Sequence, residues 1–193
     1  MKKLLLLFIL LSSVAFSQIG LYPLVVTDTV RFVRPANATA YTAGDVVADS
    51  GNHYRYFTFS NIGIRNGSRG KITNVIVQMD TANATNTTVK VRFFSVSDTT
   101  GLWASIASDN AAFQSQFQPV STGNYQWFGD VAVTMAIFGT TGGGATASEG
   151  TATAAIPYNL LNGKLYCVVL ATGAFTPGHN GTFRVIVQVE RQQ

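Results

Sequence analysis

An all-β fold, an antiparallel β-sandwich of jelly-roll-like type, is predicted for this chain by three features of its sequence. Apolar residues alternate with polar ones in segment after segment, turn residues separate those segments, and no long stretch keeps a helical period. Composition agrees: only 11% of the 193 residues are charged, against about 25% in an ordinary soluble domain. Thr, Asn, Ser and 18 Gly fill the polar places instead, a mixture that suits strands and tight turns rather than solvated helices.

The first element is a signal-like hydrophobic segment, Met1 to Ser17. Lys2 and Lys3 form a positive start, Leu4 to Phe16 is apolar apart from two serines, and Ala15-Phe16-Ser17 supplies small residues for a cut before Gln18. A spanning helix needs about 20 apolar residues, so the run is too short to cross a membrane. The expected mature domain is residues 18–193, a single β-sandwich. The whole sequence carries a formal charge of +4; without Lys2 and Lys3, eleven basic and nine acidic residues leave +2. No Lys/Arg cluster provides a footprint for a phosphate backbone, so nucleic acid is not an expected partner.

Strands follow from the alternation. Val30–Val33, Tyr54–Phe59, Ile72–Met79, Thr88–Phe94, Phe128–Phe138, Lys164–Ala171 and Thr182–Arg191 are the predicted strands. In Thr88–Phe94 the residues Val89, Val91 and Phe93 share one side, with Lys90 and Arg92 on the other. Asn66-Gly67, Thr100-Gly101, Asn162-Gly163 and Pro177-Gly178 mark turns. Asp109–Gln114 is expected to be a short helix capped by Asp109. Thr140–Thr153, with Gly142-Gly143-Gly144 inside it, is expected to be a mobile loop because its small side chains cannot build a core. The single cysteine, Cys167, excludes an intrachain disulfide and sits in an apolar run where burial is expected.

Chemical signatures are sparse. His53 and His179 are the only histidines, and neither has a second ligand at metal-binding spacing. There is no G-x-S-x-G elbow, no phosphate loop and no D-x-D-x-D-G calcium loop. The nine carboxylates are scattered. No catalytic residue, cofactor or metal is therefore expected. The aromatic residues Trp103, Tyr125 and Trp127 are the candidate ligand contacts, since exposed rings on strands can stack on sugars.

The segment Arg34-Pro35-Ala36-Asn37-Ala38-Thr39-Ala40-Tyr41-Thr42-Ala43-Gly44-Asp45-Val46-Val47 resembles an R-P-A-(N/D)-T-T-A-Y-x-A-G-D-V-V segment of small β-rich tailed-phage and prophage proteins, presumed virion structural components. Further similar stretches follow in the same order: Gly70-Lys71-Ile72, Val91-Arg92-Phe93-Phe94, Asp109-Asn110-Ala111-Ala112-Phe113, Leu165-Tyr166-Cys167-Val168 and Phe175-Thr176-Pro177. The resemblance implies a non-enzymatic virion protein, a capsid decoration, head fibre or tail-associated component, whose partners are other virion proteins and further copies of itself as a homo-oligomer. Its physics is structural: Pro35 biases Arg34 towards an extended conformation, Gly44-Asp45 makes a turn, and Tyr41 packs over it. The leader departs from that family's pattern, so the expected location is the virion or, after leader cleavage, the exterior. The reading from a different class is an exported bacterial surface module that binds a surface glycan through Trp103, Tyr125 and Trp127.

Overall fold

Alternation along Thr182–Arg191 buries Phe183, Val185, Val187 and Val189 on one face, and the same rule applied along the chain generates two facing sheets. The structure is a computed structural model that describes residues 23–36, 39–49, 56–80, 87–97, 109–113, 125–140, 145–177 and 181–192. Its strands are β1 (Leu24–Val33), β2 (Val46–Val47), β3 (Phe57–Phe59), β4 (Ser68–Met79), β5 (Thr88–Val96), β6 (Tyr125–Thr134), β7 (Ala136–Thr140), β8 (Ala145–Leu160), β9 (Leu165–Ala171) and β10 (Thr182–Arg191). The first sheet has the order β1-β10-β4-β8-β7, and the second β2-β9-β5-β6 with β3 also paired to β9. Every pairing is antiparallel. The chain changes sheet at each connection except β2 to β3, β5 to β6 and β7 to β8. That path is the double Greek key of a jelly roll, as the sequence predicts.

The main core lies between the sheets. Val75, Val77 and Met79 of β4 and the four inward residues of β10 face Val89, Val91 and Phe93 of β5 and Cys167 and Val169 of β9. Phe32 bridges the layers at one end, stacked on Phe57 with centroids 3.9 Å apart and on Phe183 at 5.3 Å. Each such side chain contributes about 1.5–3 kcal/mol on burial. Cys167 is fully buried, and burial pushes its thiol well above the ordinary range. β6 and β7 are separated only by the buried Met135. The single strand expected over Phe128–Phe138 is thus one run that turns a corner from the second sheet into the first.

A second apolar cluster covers the outer face of the second sheet. Val46, Tyr56, Phe94, Val96, Tyr166, Val168 and Leu170 pack there, with Ala111, Phe113 and Tyr125 against them. This explains why all seven residues of β9 are buried, as a continuous apolar run requires when both faces of a strand are covered.

Two expectations are corrected. Residues 109–113 are not helical: Asn110 has φ +55° and Ala112 bridges to Asp45. The reason is tertiary pairing, since Asn110 N donates to Val46 O (2.9 Å), Val46 N to Ala111 O (3.0 Å) and Phe113 N to Gly44 O (2.9 Å). Those bonds satisfy the backbone groups that a helix would have used, and Asn accepts the left-handed conformation. Nor is Thr140–Thr153 a loop, because Ala145–Thr153 is the first half of β8. Small residues are required there rather than merely tolerated: a Cβ on Gly150 would lie 2.3 Å from Thr134 O. Gly142-Gly143-Gly144, Gln114, His53, His179 and Met1–Ser17 lie outside the described residues.

Candidate functional site

The segment around Arg34 forms a buried polar lock. β1 ends at Val33, and Arg34 N donates to Gly181 O (3.0 Å), which carries the chain across the end of the sandwich. The Arg34 side chain is wholly buried and donates through Nη2 to Asp109 Oδ2 (3.1 Å) and through Nε to the Tyr41 hydroxyl. Tyr41 donates its own proton to Asp109 Oδ1 (2.6 Å), and Ala48 N donates to the same oxygen (2.8 Å). Burial, followed by the hydrogen bond and charge of Asp109, pushes the Tyr41 hydroxyl far above its ordinary range. Its ring packs on Phe175 with centroids 4.9 Å apart.

The turn beside this lock is fixed in the same manner. Gly44 takes φ +93°, a conformation in which a Cβ is strained, and Asp45 Oδ2 accepts from Thr42 N (2.6 Å) and Thr42 Oγ1 (2.9 Å). The Asn110 amide, oriented to match its neighbours, donates to Asp45 Oδ2 (3.2 Å) and Ala40 O (3.0 Å). Two stretches far apart in sequence, 34–46 and 109–113, are therefore one structural unit. Their buried polar groups bond mainly to one another and to nearby backbone, which suits anchoring.

The exposed chemistry lies further along the same face, on β6. Phe93 pairs with Gly129 and Phe94 with Trp127, so a bulge places one extra residue, Phe128, in β6. Residues three apart should point to opposite faces of a regular strand; the bulge puts both Trp127 and Asp130 outside. Trp127 is 47% exposed and donates through Nε1 to Asp130 Oδ1 (3.2 Å). Arg92, opposite Asp130, grips that carboxylate with Nε to Oδ1 and Nη2 to Oδ2, both 2.9 Å. Lys90 Nζ stands 3.8 Å from Oδ2. The Arg92 guanidinium lies 5.0 Å from the centre of the Phe113 ring and 5.8 Å from that of Trp127. Burial opposes ionisation of Asp130, but the Arg92 bonds and charge, the indole N–H and Lys90 together hold its carboxyl below the usual value.

Of the three aromatic candidates, Trp127 presents an open indole. Tyr125 shares its strand and face but is half-buried, its ring 5.4 Å from Phe94, and burial raises its hydroxyl pKa. Trp103 lies outside the described residues. Sequence alternation alone misses Lys90, Arg92 and Asp130 as neighbours of Trp127, because only the bulge aligns them. Among the described residues no three His, Cys, Asp or Glu side chains converge as a metal site.

The architecture and its outer-face cluster define the chain as a jelly-roll β-sandwich. No protein-family model matches it, and no curated protein does. Solved structures match weakly. A carbohydrate-binding module from a family 9 glycoside hydrolase of Ruminococcus flavefaciens is 14% identical with a TM-score of 0.34, over 85% of this chain and 98% of that one. A non-crystalline-cellulose-specific carbohydrate-binding module, CBM28, is 10% identical with a TM-score of 0.37, over 85% of this chain and 74% of that one. The capsid asymmetric unit of cyanophage Pam1 is 13% identical with a TM-score of 0.28, over 89% and 86%. Similarity at this level concerns architecture alone.

Proposed function

We propose that this chain is a non-enzymatic structural component of a phage-type virion, a capsid decoration, head fibre or tail-associated protein that works through contacts with other virion proteins and with further copies of itself. The observation that carries this reading is the open edge of the first sheet. β1 pairs with β10 along all ten of its residues, and no strand pairs with its other edge among the described residues. Leu24 (46%), Val25 (61%) and Val33 (40%) are exposed along it. Long open edges of this kind recruit another strand through main-chain hydrogen bonds. Asp28 faces the inner side of β1 and accepts from Asn61 N (2.8 Å), which ties the strand down from within rather than along its edge. The sequence resemblance supports the same assignment, its shared segments being spent on the scaffold. Peptide mass spectrometry on density-purified particles and on cell-free supernatant tests it. Stoichiometric recovery in particles is expected; recovery only as free protein beginning at Gln18 sinks the virion reading.

One observation favours the second reading, an exported module that binds a surface glycan: the open Trp127 indole beside the Arg92–Asp130 pair. Binding on a glycan array that disappears in Trp127→Ala, with the fold intact, supports it; an array without specific binding ends it.

A further inference from the structure

The strand register brings two arginines together on the outer face of the first sheet, away from Trp127. Arg31 of β1 is directly opposite Arg184 of β10, which is opposite Gln78 of β4, which is opposite Glu149 of β8. Their neighbours Phe32, Phe183, Val185, Val77 and Met79 point into the core, so this row points out. Like charges directly opposite one another on adjacent strands are about 5 Å apart at Cβ and destabilise the pair. Neither arginine has a carboxylate within 4 Å among the described residues. Glu149, the nearest acid in the row, is instead engaged by Gln78, whose Nε2 donates to Glu149 Oε2 (2.6 Å). Among the described residues Arg184 Nη1 donates to the neutral Gln78 Oε1 (3.1 Å).

A solvent-open cleft of about 280 Å³ lies over this row, lined by both arginines together with Gln78, Thr182, Asp80 and Ala147. That is close to the ~300 Å³ lower end of ligand sites. The Asp80 carboxylate stands at its rim with Oδ1 taken by Thr182 N (2.8 Å). We propose that this cleft binds a carboxylated saccharide, with Arg31 and Arg184 clamping the carboxylate and Asp80, Thr182 and Gln78 meeting the hydroxyls. Guanidinium pairs recognise a planar carboxylate through charge-assisted forked bonds. An acidic peptide offers no hydroxyls to Asp80, Thr182 and Gln78, and a neutral sugar leaves the two cations uncompensated. One anionic group set among hydroxyls, as in a hexuronic acid unit, matches both halves of the site. This holds whether or not the chain is a virion component.

The test is calorimetric titration of the full chain at low salt with trisaccharides of galacturonate, glucuronate and alginate, beside a neutral glucose trisaccharide, inorganic phosphate and a triglutamate peptide. At least one uronide is expected to bind, and Arg31→Gln and Arg184→Gln each to weaken it about tenfold or more. Both side chains are exposed and either change relieves the repulsion between them, so melting temperatures should stay unchanged or rise slightly. Lys71→Gln, a cation on the same face that is already paired with Glu190 at 3.0 Å, and Trp127→Ala should leave binding as it was. Absence of uronide binding at millimolar concentration overturns the proposal. So does equal loss in Lys71→Gln, or binding of triglutamate, phosphate or the neutral sugar as tight as that of the uronides.

Discussion

Replacing Asp109 with alanine should be among the costliest single changes in this protein. The carboxylate is 5% exposed and receives hydrogen bonds from Arg34, Tyr41 and Ala48 at 3.1, 2.6 and 2.8 Å. Removing it withdraws the acceptor from three donors and the counter-charge from a guanidinium that is 0% exposed. Breaking a buried ion pair from one side costs about 3–5 kcal/mol, a large share of the roughly 5–15 kcal/mol that holds a domain folded. For a chain of this size each kcal/mol moves the melting temperature by about 2–4 °C, so a fall of roughly 6–20 °C is expected. The loss propagates locally, because residues 109–113 carry Phe113 over Arg92 and close the outer cluster. Urea unfolding followed by circular dichroism and tryptophan fluorescence measures the change. The double replacement Arg34→Met with Asp109→Leu should recover only part of it, the share owed to the unpaired guanidinium, because the Tyr41 hydroxyl and Ala48 N–H still lack their acceptor. A loss below about 1 kcal/mol in Asp109→Ala, or no recovery in the double variant, would show that the lock is not what fixes the 109–113 segment.

Two further outcomes follow from the same structure. Asp130 has a folded-state pKa below its ordinary value, so its contribution is present above the unfolded value near ~3.9 and is lost as pH falls through the lower folded value. The stability gap between the natural protein and Asp130→Asn should therefore shrink as pH falls below the unfolded carboxylate value near ~3.9, measured by urea unfolding at each pH; a constant gap refutes the assignment. Gly150→Ala should destabilise by about 2–3 kcal/mol or more through overpacking, because the new Cβ meets Thr134 O at 2.3 Å and Val133 Cγ1 at 2.8 Å. If thermal melting shifts by less than that of a typical surface change, about 0.5 kcal/mol, the close crossing of β8 and the β6 end does not exist in solution.

How far the fold is legible in the sequence depends on side-chain size. β5 and β10 announce themselves because large apolar residues alternate with charged or amide ones, and β9 because its apolar run is continuous. β8 hides. Ala152, Ala154, Ile156, Tyr158 and Leu160 do alternate inward, but alanine and threonine give too little contrast for the period to stand out beside a glycine run. The short-helix expectation at Asp109 failed for another reason: its capping side chain is used, but by Ala48 N and Tyr41, partners that lie some sixty residues earlier. No local pattern encodes a bond of that range.

The candidate site divides along the same line. The residues Arg34, Tyr41, Asp45 and Asp109, which carry the sequence resemblance, have buried polar side chains, and their distances show them bonded mainly to one another and to nearby backbone. Such residues report a scaffold, because replacing any of them disturbs packing before it touches a ligand. The groups able to meet a partner are different ones: the β1 edge, the Trp127 indole beside Asp130, and the Arg31–Arg184 pair. Each depends on something that alternation cannot reveal, namely which strand is last in its sheet, where a bulge falls, and which residue a register sets opposite. Partners of this chain should therefore be sought in those exposed rows rather than in the buried lock.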